Sequence, residues 1–199
     1  MDLSDLASSL DQLRDSSILQ ERALLGSLLL SICDGDLQFI VPVLAGEVPG
    51  EIGPITPGMA RKGISMAFGL SSHQVDRELN RLGTLPEVAG SQAEKRSQTR
   101  LCIDRDILPV FRELRTLLSG RASERTIAAG LCNLMIGSSP SSVRLILEVL
   151  LGHSPAYVRK TVLIDCLAIR IKKDPEIIRE LVDSKGWGAS LEELLSGSP

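Results

Sequence analysis

Pro57-Gly-Met-Ala-Arg61-Lys62-Gly-Ile-Ser-Met66-Ala-Phe68 returns about a hundred residues later as Pro155-Ala-Tyr-Val-Arg159-Lys160-Thr-Val-Leu-Ile164-Asp-Cys166. Each stretch runs on into a similar ending, Val75-Asp-Arg77-Glu78-Leu79 and Ile178-Arg179-Glu180-Leu181. In both, a proline opens an apolar helical pattern and an Arg-Lys pair follows one turn in. Internal repetition of this kind sets the architecture as two copies of one helical unit. It also puts two cationic pairs at matching helix starts, where backbone N–H groups lack partners and favour anions.

Helical spacing extends outward from this repeat. Leu3, Leu6, Leu10 and Leu13 form one amphipathic stripe. A second helix is expected from about Ser17 to Cys33, with Asp34-Gly35-Asp36 as a turn before a short helix through Leu37 to Leu44. A Pro- and Gly-rich loop leads to Pro57, and Ser71-Ser72 caps a short helix that ends at Leu82-Gly83. Residues 91–100 read as a polar link. Beyond it, helices are expected over about 104–118, 123–136 and 141–151, then the second repeat helix, then a last capped helix after Lys172-Lys173-Asp174-Pro175. Period-two runs of β-branched residues are missing, which excludes a sheet. The fold expected is all-α, about ten to twelve helices in two pseudo-two-fold-related halves, 1–90 and 101–195, forming a single domain over 1–199.

Only five residues are aromatic, so the core must be Leu, Ile, Val and Ala, which suits interlocking helices. No apolar run reaches the roughly 18–20 residues of a membrane span. The opening Met1-Asp-Leu-Ser-Asp5 is unlike a signal peptide, and a cytoplasmic protein is expected. Cys33, Cys102, Cys132 and Cys166 are scattered without metal-ligand spacing, so they read as reduced, buried thiols and no metal is expected. Residues 1–60 carry nine acids and two bases, whereas the remainder carries 16 acids and 20 bases. A mildly basic body behind an acidic N-terminus is compatible with nucleic acid.

Material for catalysis is sparse. His73 and His153 lie far apart in cap or loop contexts. Asp34-Gly35-Asp36 lacks the later ligands of a calcium loop, and Gly46-Glu-Val-Pro-Gly50 lacks the lysine of a phosphate loop. No catalytic residue and no cofactor is assigned. What remains is cationic: Arg61-Lys62, Arg159-Lys160, and Gly120-Arg121-Ala-Ser-Glu-Arg125, where a glycine turn delivers a helix start with two arginines one turn apart. Cations at a helix start oppose its dipole by about 0.3–1 kcal/mol each, which points to an anionic partner. The bland alternative is long side chains lying along a solvated face.

Gly46-Glu47-Val48, the run Lys62-Gly-Ile-Ser-Met-Ala-Phe-Gly69, and Leu82-Gly83-Thr84-Leu85-Pro-Glu-Val-Ala89 occur in an order that resembles the N-terminal DNA-binding domain of archaeal and eukaryotic ATP-dependent DNA ligases. Gly120 and Arg125 resemble that family's Gly-Ser-x-x-x-Lys loop. Ser139-Pro140 with Arg144 and Gly152, then Leu163-Ile-Asp165-Cys-Leu-Ala168, are similar to its later helices. The resemblance covers roughly 1–195. It implies an all-helical, internally symmetric domain that grips duplex or nicked DNA through phosphates, in replication, repair and ligation, by contacts that need no sequence readout. Arg61, Lys62, Gly120, Arg121, Arg125, Arg159 and Lys160 are the candidate contacts. The family's nucleotide-carrying Lys-x-Asp-Gly is absent from these 199 residues, since Lys173-Asp174 continues as Pro175. A non-catalytic DNA binder is therefore expected, nucleoid-associated if it holds DNA. Two alternatives stand beside it: a helical protein-interaction module that kept the fold, and the DNA-gripping subunit of a split ligase with a separate catalytic partner.

Overall fold

A computed structural model describes residues 2–14, 16–47, 55–97, 109–110, 112–113, 116, 118, 122–152 and 157–196. Among these it forms ten delineated helices and no strand, as expected for an all-α chain. They are α1 (Leu3–Arg14), α2 (Ile18–Ser31), α3 (Asp34–Leu44), α4 (Pro57–Phe68), α5 (Ser72–Leu82), α6 (Leu85–Ser97), α7 (Glu124–Met135), α8 (Pro140–Leu150), α9 (Lys160–Ile171) and α10 (Pro175–Ser196).

Local chemistry explains the boundaries. Thr56 caps α4 by accepting from the Met59 N–H, and Pro57 occupies the first helical position, where no N–H is needed. Gly69 ends α4 in the left-handed conformation (φ 68°), open to glycine without steric cost. Ser71 and Gln74 form a capping box for α5. Two expected boundaries change. Asp34-Gly35-Asp36 is the first turn of α3, which suits two carboxylates beside a helix N-terminus. The expected polar link is largely α6, which buries Leu85, Pro86, Val88, Ala89, Gly90 and Ala93.

The repeat is real, but its register differs from the one the sequence suggested. Helices α2-α3-α4-α5 correspond to α7-α8-α9-α10, with N-caps at Ser17 and Ser123, Cys33 and Ser139, and Thr56 and Arg159. Both α3 and α8 are 11 residues long, and each is followed by a glycine at positive φ, Gly46 and Gly152. Both α4 and α9 are 12 residues long and end on left-handed C-caps, Gly69 and Lys172. Val75 and Ile178 then fall at equivalent, buried places. The two Arg-Lys pairs do not: Arg61-Lys62 lie in the second turn of α4, whereas Arg159 is the N-cap and Lys160 the first residue of α9.

The chain forms two compact bodies, and each draws on both repeats. One comprises Ser8–Gly50 and Ser154–Pro199, together with Met1; the other comprises Asp2–Ala7 and Glu51–His153. In the first body α9 packs on α2, and α10 packs on α3 and α9. In the second, α4 packs on α7 and α6 on α8, with α5 against α4 and α6. The exchange is reciprocal: the Tyr157 N–H donates to Leu44 O (2.9 Å) at the end of α3, and the Ile55 N–H donates to Leu150 O (2.8 Å) at the end of α8.

Candidate nucleic-acid interface

The second body holds the described cations of the first repeat helix and of the second repeat's opening helix. Residues 2–7 and 51–153 together carry 13 bases against 12 acids, while 8–50 and 154–199 together carry 9 bases against 13 acids. One body is thus near neutral and the other acidic, because most of the acidic N-terminal stretch lies in the latter.

Arg61 projects from α4 and its Nε lies 3.5 Å from Asp76 Oδ1 on α5, a half-exposed pair of small energetic weight. It also lines a cleft of about 340 Å³ with Pro57, Leu79, Leu85, Glu148 and Leu151. Lys62 is exposed and has no ion-pair or hydrogen-bond partner among the described residues. Arg125, one residue into α7, is likewise exposed without such a partner, next to the helix start capped by Ser123, which accepts from the Thr126 N–H at 3.2 Å. Gly120 and Arg121 lie outside the described residues.

The start of α9 in the first body is built differently. Glu21, on α2, has a side chain only 4% exposed. Its Oε1 accepts from the Arg159 main-chain N–H (2.5 Å) and its Oε2 from the Arg159 guanidinium (2.5 Å). The helix start therefore already holds an anion, supplied by the chain itself. Lys160 Nζ lies 2.5 Å from Asp183 Oδ1 on α10. Both cations are half-exposed and both are engaged.

One group went unread in the sequence. Arg77, Arg81 and Lys95 gather around Glu78: the hydrogen bond from Arg81 holds the Glu78 carboxyl below the ordinary carboxylate value of 4.5, and the charges of Arg81, Lys95 and Arg77 act in the same direction. The i, i+4 spacing of Arg77 and Arg81 on α5 was the available signal.

The residues that carried the family resemblance do structural work. Glu47 Oε2 accepts from the Trp187 N–H (3.3 Å), just after the break at Gly186 (φ 76°) inside α10. At Gly63 a Cβ would lie 3.0 Å from Leu131 Cβ, so its absence lets α4 approach α7 closely. Arg144 pairs with Glu87 (3.2 Å), and its side chain covers Gly90, where a Cβ would come within 2.4 Å of Nε. Asp165 pairs with Arg22 (2.5 Å), tying α9 to α2. These contacts call for a small residue at Gly63 and Gly90 and for the paired or accepting side chains Glu47, Arg144 and Asp165.

The described residues include no His/Cys/Asp/Glu group able to hold a metal ion and no helix long and apolar enough to cross a membrane. Cys132 and Cys166 are buried free thiols, but Cys33, expected to be buried, is exposed at the N-cap of α3. No curated protein matches the sequence. The family model described as DNA ligase N terminus matches residues 1–168. That match spans most of the chain and coincides with the helices, caps and close approaches just described, so the chain belongs to the DNA ligase N-terminus family.

Proposed function

We propose that this chain is a non-catalytic DNA-binding domain that grips duplex or nicked DNA through phosphates, acting over 1–199 as one module. The observation that carries this reading is the pair Lys62 and Arg125: exposed cations without partners among the described residues, on the less acidic of the two bodies, in a chain of a ligase family. Arg61 joins them once it leaves the weak Asp76 pair. Gly120 and Arg121 belong to the same proposed grip on sequence grounds. Arg159 and Lys160 take a lesser share, because each must first leave a carboxylate. Backbone contacts of this kind tolerate any sequence, as a protein acting at breaks requires.

The experiment is a titration of nicked duplex, run beside intact duplex, over a range of salt. Binding whose log K falls with log salt at about −0.9 per neutralised phosphate supports the reading. Absence of binding at ~50 mM salt, where phosphate contacts are strong, ends it. The interaction-module reading is favoured by one observation, the exposed apolar side chains on α2, and the split-ligase reading predicts co-purification with an adenylating subunit.

A further inference from the structure

Of the eight exposed large hydrophobic residues among the described residues, four lie on α2: Ile18, Leu19, Leu24 and Leu30. One face of α2, carrying Glu21, Leu25, Leu28 and Leu29, is buried. The opposite face presents Leu19, Ala23, Gly26 and Leu30, spaced 4, 3 and 4 residues apart, the same stripe spacing by which helices pack on one another. Leu19 is 83% exposed and Leu30 72%. Nothing lies within 4 Å of the place a Cβ would occupy at Gly26. Glycine is a poor helix former, and no contact among the described residues requires it here.

We infer that this stripe is the contact between two copies of the chain, α2 against α2 in antiparallel crossing. Three observations select a second copy over another partner. The stripe is palindromic: reversed, it still reads leucine, small, small, leucine at spacings of 4, 3 and 4. A two-fold axis then sets position 19 of one copy against position 30 of the other, and position 23 against position 26, as an isologous interface demands. Two crossing helices are closest at the crossing and diverge from it, so small residues at the centre and leucines at both ends fill the space between them. The stripe carries no charge. The charged residues of α2 are Glu21, which is buried, and Arg22, which is paired with Asp165, so no like charges face each other across the axis. The inference does not rest on DNA binding, and α2 carries none of the cations proposed for the grip.

The test is sedimentation equilibrium of the 199-residue chain without DNA, from low-micromolar to near-millimolar concentration. The average mass rises from 21.5 kDa toward twice that value. Leu19→Glu and Leu30→Lys each weaken the dimer by roughly 30-fold, the scale of an apolar hot spot, with an unchanged circular dichroism spectrum because both sites are exposed. The double variant Leu19→Glu/Leu30→Lys regains association, since the antiparallel register sets opposite charges face to face. A wild-type chain that stays at 21.5 kDa throughout overturns the inference. So does a dimer indifferent to both single substitutions, and a double variant no better than the singles overturns the antiparallel contact.

Discussion

Helices α4 and α9 are the same element of the repeat, with equal length and matching C-caps, yet their N-termini have opposite chemistry. The α4 start is neutral, capped by Thr56 and Pro57, and its cations stand one turn further in, with Lys62 exposed. The α9 start is an arginine, closed by the buried Glu21 carboxylate. The equivalents of Lys62 and Gly63 on α9 are Asp165 and Cys166, which bind α2 through Arg22 and its carbonyl. One copy of the helix uses its second turn to reach solvent and the other uses it to lock onto a neighbour. A repeated element can thus keep its geometry while one copy's side chains stand in solvent and the other's lock onto a neighbour.

The largest effect is expected at Gly63, where α4 meets α7. Gly63→Leu forces a branched side chain between α4 and α7, where even a Cβ lies 3.0 Å from Leu131 Cβ. A loss of about 3 kcal/mol is expected in urea denaturation, the upper end for overpacking. Unchanged stability would show that the two helices can separate freely. Glu21→Ala comes next, at about 2 kcal/mol, because it leaves the Arg159 N–H without its acceptor. The same variant should steepen the salt dependence of DNA binding by about one phosphate if the vacated α9 start then accepts one.

Smaller again is an alkaline effect. Burial raises the Cys132 and Cys166 thiols above their ordinary 9.0, so both stay protonated in the fold at pH values where the unfolded chain begins to ionise. Their contribution is intact below pH 9.0 and declines as pH rises toward the folded pKa, by at most about 1.4 kcal/mol per pH unit for each thiol. Denaturation at pH 8 and pH 10 should differ more in the native chain than in Cys166→Ala. Asp76→Asn should change stability by less than about 0.5 kcal/mol, since its pair with Arg61 is half-exposed.

The helical class, the glycine stops at Gly69 and Gly83 and the family itself were legible, because they rest on spacing and on backbone conformations that few residues adopt. The register of the repeat was not. Matching Arg-Lys pairs drew the alignment toward surface residues, whereas equivalence follows the buried Val75 and Ile178 and the caps. The end of α6 reads as a link because Ala93 is the one buried residue over 91–97, too small to mark an apolar stripe. The closure of α9 by Glu21 was invisible for a different reason: its two partners are 138 residues apart, and only the exchange of helices between bodies unites them. Gly120 and Arg121 lie outside the described residues, so the sequence alone carries them.

The proposed DNA grip lies on the second body, while the start of α9 is satisfied internally. Salt-dependent binding of nicked duplex by two double variants tests it most directly. Lys62→Ala/Arg125→Ala should flatten the slope of log K against log salt by about 1.8, the loss of two phosphate contacts. Arg159→Ala/Lys160→Ala should leave the slope close to that of the native chain. Equal losses from both variants, or a slope that Lys62→Ala/Arg125→Ala does not move, would contradict the account.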